Sequence, residues 1–290
     1  MKHSRLLLLI VIFVSALTAA QGQVAVDLHI KRRMLIAHEP IVATVTVTNL
    51  TGRDITLADT AEMQWFGFQV NTTGDRIVPP RNPNYALPPL IIKAGGQMRR
   101  TVNLNELYEI GDYGIYRIRA NIHFAELGKF FSSRPSVVEV TEGRLLWKQV
   151  AGVPGSSELR KFSLLAHQQG NYTLAYVRVE DRENGTVFIT QELGRMIEGN
   201  PPIAELDLGN NLFVLQLVGQ REYLLSRISP NGEFLGQTRY SAPKSKPFIR
   251  RLEDGQLQLV GGRRMETIAQ NPAAAPATKL SERPVGMPKN

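Results

Sequence analysis

The residue pattern predicts an all-β chain, built as two antiparallel β domains in tandem behind an apolar leader and ahead of a Pro/Ala-rich tail. Three observations carry that expectation. Short stretches alternate apolar and polar side chains with a period of two, the signature of half-buried strands. Glycine- and asparagine-bearing turn signals separate most of them. Prolines gather in connections (Pro79, Pro80, Pro83, Pro88, Pro89), since proline cannot donate within a central ladder.

The leader comes first. Lys2 and Arg5 form a basic start, Leu6 to Val14 is an unbroken apolar run, and the small residues Thr18, Ala20 and Gly22 follow. This is the layout of a secretory signal peptide over residues 1–20. A spanning helix needs ~20 apolar residues, and Ser15 and Thr18 interrupt the run too early. Cleavage and export are therefore expected, with no membrane span in the mature chain. Cysteine is absent, which rules out a disulfide framework, a thiolate zinc site, a cysteine nucleophile and a lipid-modified N-terminal cysteine. Secreted animal domains of this size usually carry disulfides. The expected setting is therefore a bacterial periplasm or the extracellular medium.

The formal charge of +8 is spread along the chain. Neither folded region has the concentrated basic field of a nucleic-acid footprint, so no nucleic-acid partner is expected. The dibasic pairs Arg32–Arg33, Arg99–Arg100, Arg250–Arg251 and Arg263–Arg264 read as solvated strand ends and edges, where charge deters edge-to-edge pairing.

The first domain spans residues 21–142. Ile41, Ala43, Val45 and Val47 alternate with Thr44, Thr46 and Thr48, and Asn49–Asp54 makes a turn before extended Ile55–Leu57. Trp65–Val70 is the next strand. Ile91–Ile92 and Thr101–Leu104 are expected to pair across the Gly95–Gly96 turn. Ile115–Phe124 and Phe130–Ser133 form a hairpin around Gly128–Lys129, and Val137–Val140 closes the set. Trp65, Phe66 and Phe68 could stack on a glycan, but an apolar run of this kind reads first as the core of a central strand.

Gly111-Asp-Tyr-Gly-Ile-Tyr-Arg-Ile118 matches the Asp-x-Gly-x-Tyr-x-Cys run entering strand F of immunoglobulin domains, with Ile118 in the cysteine place. In such domains the tyrosine, here Tyr116, hydrogen-bonds backward at the corner. Tyr116, Ile118, Ala120 and Ile122 then face the core, and an immunoglobulin-like β-sandwich is the expected fold. Further matches are His-Glu-Pro-Ile41, Val45-Thr-Val-Thr-Asn49, Gly-Arg-Asp-Ile-Thr-Leu57 and Ile-Lys-Ala-Gly-Gly96. With these, the stretch 38–122 resembles bacterial immunoglobulin-like domains of the intracellular proteinase inhibitor type. The resemblance covers about a third of the chain and consists of strand and turn residues, so it implies a fold.

The second domain, residues 143–265, reads as strands at 161–166, 172–180, 186–192, 204–208, 212–218, 222–229, 233–240, 248–252 and 256–260. Turn signals at Gly170-Asn171, Asn184-Gly185, Gly209–Asn211, Asn231-Gly232 and Asp254-Gly255 separate them. Their recurrence at ~40–50 residues suggests propeller-like repeats, though a closed propeller needs at least four blades. An antiparallel β-meander with open edges is the expectation, and Leu212–Val218, apolar on both faces, should be a central strand. Trp147 is expected to anchor an interdomain or sheet-closing contact. Residues 266–290, rich in proline and alanine, should stay disordered.

Chemistry-bearing patterns are sparse. His29, His38, His123 and His167 lack helical zinc spacing, and no nucleophile elbow or phosphate loop occurs. Glu180, Asp181 and Glu183 cluster at a hairpin tip, and Asp181–Phe188 is similar to a structural Asp-box turn. No catalytic, cofactor-binding or metal residue is therefore assigned. The expected function is non-enzymatic binding or structural work in the bacterial envelope or outside it. Its partner would be a protein or a glycan, with homodimer formation through open sheet edges as the other expected association. A carbohydrate-active hydrolase, or a degenerate relative with its acids on the meander loops, stays open as the alternative.

Overall fold

A computed structural model describes residues 23–268; the segment 1–20 expected to be a signal peptide, and the part of the expected tail beyond Ile268, lie outside the described residues. Among the described residues the protein is nearly all β, with several sheets, no closed barrel and one four-residue α-helix, Leu104–Leu107 (α1). It gathers into two compact units. One takes the chain up to Lys31, Ala43–Thr101 and Arg117–Val137; the other takes Arg32–Val42, Val102–Tyr116 and the chain from Val138 onward.

In the first unit, β1 (Val24–Ile30) runs antiparallel to β3 (Val42–Asn49), which continues to β7 (Gln97–Asn103). The Thr/apolar alternation of β3 buries Ala43, Val45 and Val47 completely, as expected. Asn49 ends the strand and organises the turn after it. Its amide donates to the carbonyls of Arg53, Ile92 and Lys93, while its Oδ1 accepts from the Thr51 amide and hydroxyl. A side chain that both donates and accepts can hold two non-adjacent segments at once.

One expected pairing is corrected. β6 (Leu90–Ile92) does not pair with β7; it pairs with β4 (Ile55–Leu57), while β7 joins β3. The Gly95–Gly96 turn redirects the chain to a different sheet, because Asn49 has already fixed the carbonyls of Ile92 and Lys93.

A second sheet has the strand order β2-β10-β8-β5, from β2 (Met34–Ile36), β10 (Ser136–Thr141), β8 (Gly114–Phe124) and β5 (Phe66–Thr72), with β9 (Lys129–Ser132) also on β8. Along β8, Tyr116, Ile118, Ala120 and Ile122 are buried while Arg117 and Arg119 are exposed, as the pattern predicts. The Tyr116 hydroxyl donates to the carbonyl of Asp112 at 2.8 Å. Tyr116→Phe should therefore cost about 1 kcal/mol in chemical denaturation, the net worth of one such bond; an unchanged midpoint would mean that the hydroxyl has no role at the corner.

The second unit contains two further sheets. β11 (Arg144–Gly152), β12 (Leu159–Gln169), β13 (Tyr172–Asp181) and β14 (Val187–Met196) form a consecutive antiparallel meander. β15 (Ile203–Leu206), β16 (Leu212–Gly219), β17 (Glu222–Ile228) and β18 (Phe234–Ser241) form another, extended by β21 (Arg263–Ile268). β21 carries pairing three residues into the segment expected to be tail.

The two meanders pack face to face. Phe162, Leu164, Val177, Val179 and Leu193 meet Leu206, Leu212, Val214 and Ile228, with Trp147 packed against them. On the far face of the second meander, Leu215, Tyr223 and Leu225 are covered with Ile249 and Leu257 of the hairpin β19 (Phe248–Arg251) and β20 (Leu257–Val260). That is why β16 is apolar on both sides: it is a central strand in a central layer.

Candidate functional site

The outer face of the first meander carries a network of charged groups. In β12 and β13 the residues opposite the core are Leu165, Leu174 and Tyr176, and Ile36 packs on them. The segment 32–41 is thereby laid over β13, and its polar side chains meet those of the strands beneath.

Arg32 stands at the centre. Its guanidinium reaches Glu39 Oε1 at 2.7 Å, the Tyr176 hydroxyl at 2.7 Å and Glu192 Oε2 at 2.5 Å. Tyr176 donates to Glu39 Oε1 at 3.2 Å, and the Ile36 amide donates to Glu39 Oε2 at 3.2 Å. The Glu39 side chain is 4 % exposed, Arg32 27 % and Glu192 25 %. Nearby, Arg178 donates to the carbonyl of Ala37 at 2.5 Å and to Thr190 Oγ1 at 3.1 Å. Segment 32–41 is thus clasped by groups from both β13 and β14. The expectation that Arg32 is a solvated strand end is corrected: Arg33 is exposed, but Arg32 turns inward onto Glu39, Tyr176 and Glu192.

Electrostatically the cluster is unbalanced, with two carboxylates sharing one guanidinium. Burial pushes Glu39 up to about 7 even though Arg32 and the Ile36 amide pull the other way. Burial also raises Tyr176, reinforced by Glu39, so the phenol stays protonated. Burial works against the charge on Arg32, yet Glu39, Tyr176 and Glu192 together hold its pKa above the ordinary value. His167 of β12, held near Thr141 Oγ1 at 3.4 Å, is shifted down by burial and then by Arg32, which keeps the ring neutral.

A second charged group sits at the hairpin tip singled out from the sequence. Arg160 binds Asp181 at 2.9 Å and also Glu158, and lies 4.3 Å over the Phe188 ring. Asp181 Oδ1 accepts from the amides of Glu183 and Asn184, which lowers its pKa. Glu180 is bound to Lys161 at 2.5 Å. Asp181 and Glu180 at this tip are therefore turn-forming or ion-paired, each already held by a cation.

The remaining sequence candidates are dispersed. Trp65, Phe66 and Phe68 are buried and stack edge to face on one another, leaving no ring face for a glycan. His123 and His167 are buried separately, and among the described residues no group of three His, Asp or Glu side chains could hold a metal ion. A shallow depression over β11 and β12 is lined by Lys148, Gln149, Val150, Lys161 and Arg182, but Lys161 is already neutralised by Glu180. A smaller cavity beside Ile203, Leu217 and Tyr223, of about 10 Å³, has roughly the room of one water. Neither reaches the Arg32 cluster.

Sequence reasoning missed that cluster. Glu39 gave one signal: an acid flanked by apolar Leu35–Ala37 and Ile41, where an unpaired charge would be costly to bury.

No helix among the described residues is long and apolar enough to cross a membrane. No protein-family model matches the chain, and no curated protein matches it. Among solved structures, the chain has a distant likeness to Spo0M, the sporulation control protein from Bacillus subtilis. The TM-score is 0.28 and the identity 9 %, over 60 % of this chain and 91 % of that one, a similarity that carries no argument about function.

Proposed function

We propose that the protein is an exported, non-enzymatic binding or structural component of a bacterial envelope or its surroundings. On this reading its first half is an immunoglobulin-like sandwich and its second a propeller-like pair of meanders, each a scaffold that presents edges and loops. The Tyr116 corner and the resemblance over residues 38–122 support the first assignment; the consecutive four-stranded meanders support the second.

The observation that carries the reading is how the acids are spent. Glu39, the one carboxylate among the described residues strongly raised in pKa, is sealed under its own ion pair, and Glu180 and Asp181 are each bound by a cation. A glycosidase needs two carboxyl groups ~5–9 Å apart with a sugar between them, and here a guanidinium fills the space between Glu39 and Glu192.

The mature chain, purified from a bacterial envelope, should begin at Gln21 or Gln23 by mass spectrometry. It should release no reducing ends from peptidoglycan or from a polysaccharide panel. Reducing-end release that disappears in Glu39→Gln or Glu192→Gln would replace this reading with the hydrolase, and a mature chain starting at Met1 would remove the export that it assumes.

A further inference from the structure

We infer that the Arg32–Glu39–Glu192–Tyr176 cluster is a proton-dependent clasp, holding segment 32–41 against β13 and β14 when Glu39 is protonated and loosening it when Glu39 is charged.

Charge counting on the observed geometry comes first. One guanidinium faces two carboxylates, and the Glu39 side chain is almost wholly removed from water. With both acids ionised the cluster carries a net negative charge beneath the segment, and an uncompensated charge in a low-dielectric site is costly. A single proton restores neutrality. Glu39 takes it because Glu192 is partly solvated and keeps its own bond to Arg32 at 2.5 Å. The protonated acid keeps its contacts as well, since Oε2 still accepts from the Ile36 amide and Oε1 lies within hydrogen-bonding reach of the Tyr176 hydroxyl.

Other charged groups face the segment too. Arg178 of β13 binds the Ala37 carbonyl at any accessible pH, since burial lowers its pKa from a very high starting value. His167 of β12 is influenced by Arg32 and, more weakly, by Glu139 of β10. Its lowered pKa acts in the opposite sense: the docked state loses stability as pH falls through the ordinary histidine range. Tyr176 remains a phenol throughout.

The direction follows. Docked Glu39 titrates near 7 and released Glu39 near the ordinary 4.5. A group whose docked pKa is raised stabilises the docked state fully below 4.5, and that stabilisation is lost as pH rises through 7. Between pH 5 and pH 8 the released population should rise about 70-fold from Glu39 alone.

The test is hydrogen exchange on the full chain, read at the Ala37 amide, which donates to Thr141 O at 2.8 Å. After correction for intrinsic exchange, its protection should fall by several tens of fold from pH 5 to pH 8, and in Glu39→Gln it should lose that fall. Should Glu39→Gln not fold, a carbon-13 titration of the wild-type glutamate carboxyls gives the same answer, with one midpoint near 7. A pH-independent Ala37 amide, an unchanged slope in the variant, or no carboxyl titrating above 6 would each overturn the clasp.

Discussion

Replacing Arg32 with methionine is expected to cost about 3–5 kcal/mol of unfolding free energy at pH 8, the range for removing one partner of a buried ion pair. Methionine keeps much of the apolar stem, so the loss reports the guanidinium. Without it, Glu39 has only the Ile36 amide and the Tyr176 hydroxyl, and Glu192 loses its partner. The loss should shrink at pH 5, where a proton on Glu39 substitutes for the missing positive charge. Denaturant titrations at both pH values measure it. In a double-mutant cycle with Glu39→Gln the two changes should couple by at least about 1 kcal/mol, as groups in one network do. Additive losses that are equal at both pH values would show that Arg32 acts through packing alone.

The second large effect is expected at Trp65. Its side chain is 0 % exposed, its ring meets Phe66 edge to face at 5.5 Å, and its indole N–H donates to the Leu87 carbonyl at 3.2 Å. Trp65→Ala should cost about 4 kcal/mol through the cavity it leaves. Trp65→Phe fills most of that volume but strands the Leu87 carbonyl, and should cost about 1–3 kcal/mol. Urea unfolding measures both. A loss under about 1 kcal/mol in Trp65→Ala would put the ring at a surface and revive the glycan platform.

These two sites differ in how far the sequence discloses them. Trp65 belongs to an apolar run, and a run of that kind has to be buried somewhere, so its place was legible. So were most of β12 through β20, because turns bearing glycine with asparagine or aspartate punctuate many of them and turn chemistry is local. β11 was not legible, since a register shift between Leu145 and Trp147 breaks its alternation. β1 was legible but overlooked: Val24, Val26, Leu28 and Ile30 alternate cleanly just past the expected leader. Arg32 could not have been read. Its hydrogen-bond partners Tyr176 and Glu192 lie 144 and 160 residues away, and a dibasic pair says nothing about which member turns inward. Strands follow from neighbours in the chain, and the candidate site from neighbours in space.

Two meanders in succession look like interchangeable modules, the product of copying one unit, but Gln216 makes them unlike. It stands in β16, an inner strand of the second meander, and donates across the core to the carbonyls of Leu193 and Arg195 in the first. Those carbonyls flank Gly194, which takes φ 103° beside the register shift in β13–β14, and Gln237 adds another bond to Leu193. An otherwise oily interface is therefore keyed by these amides, and Asn210 adds a bond to the Gly152 carbonyl. The layers cannot slide by a residue without stranding these polar groups in a dry seam, and either meander produced without the other would leave its own groups unpaired. A third meander of similar sequence could not be spliced into the stack unless it brought both a kinked strand and a matching amide. That lock-and-key requirement limits how freely this half of the protein could have grown by duplication.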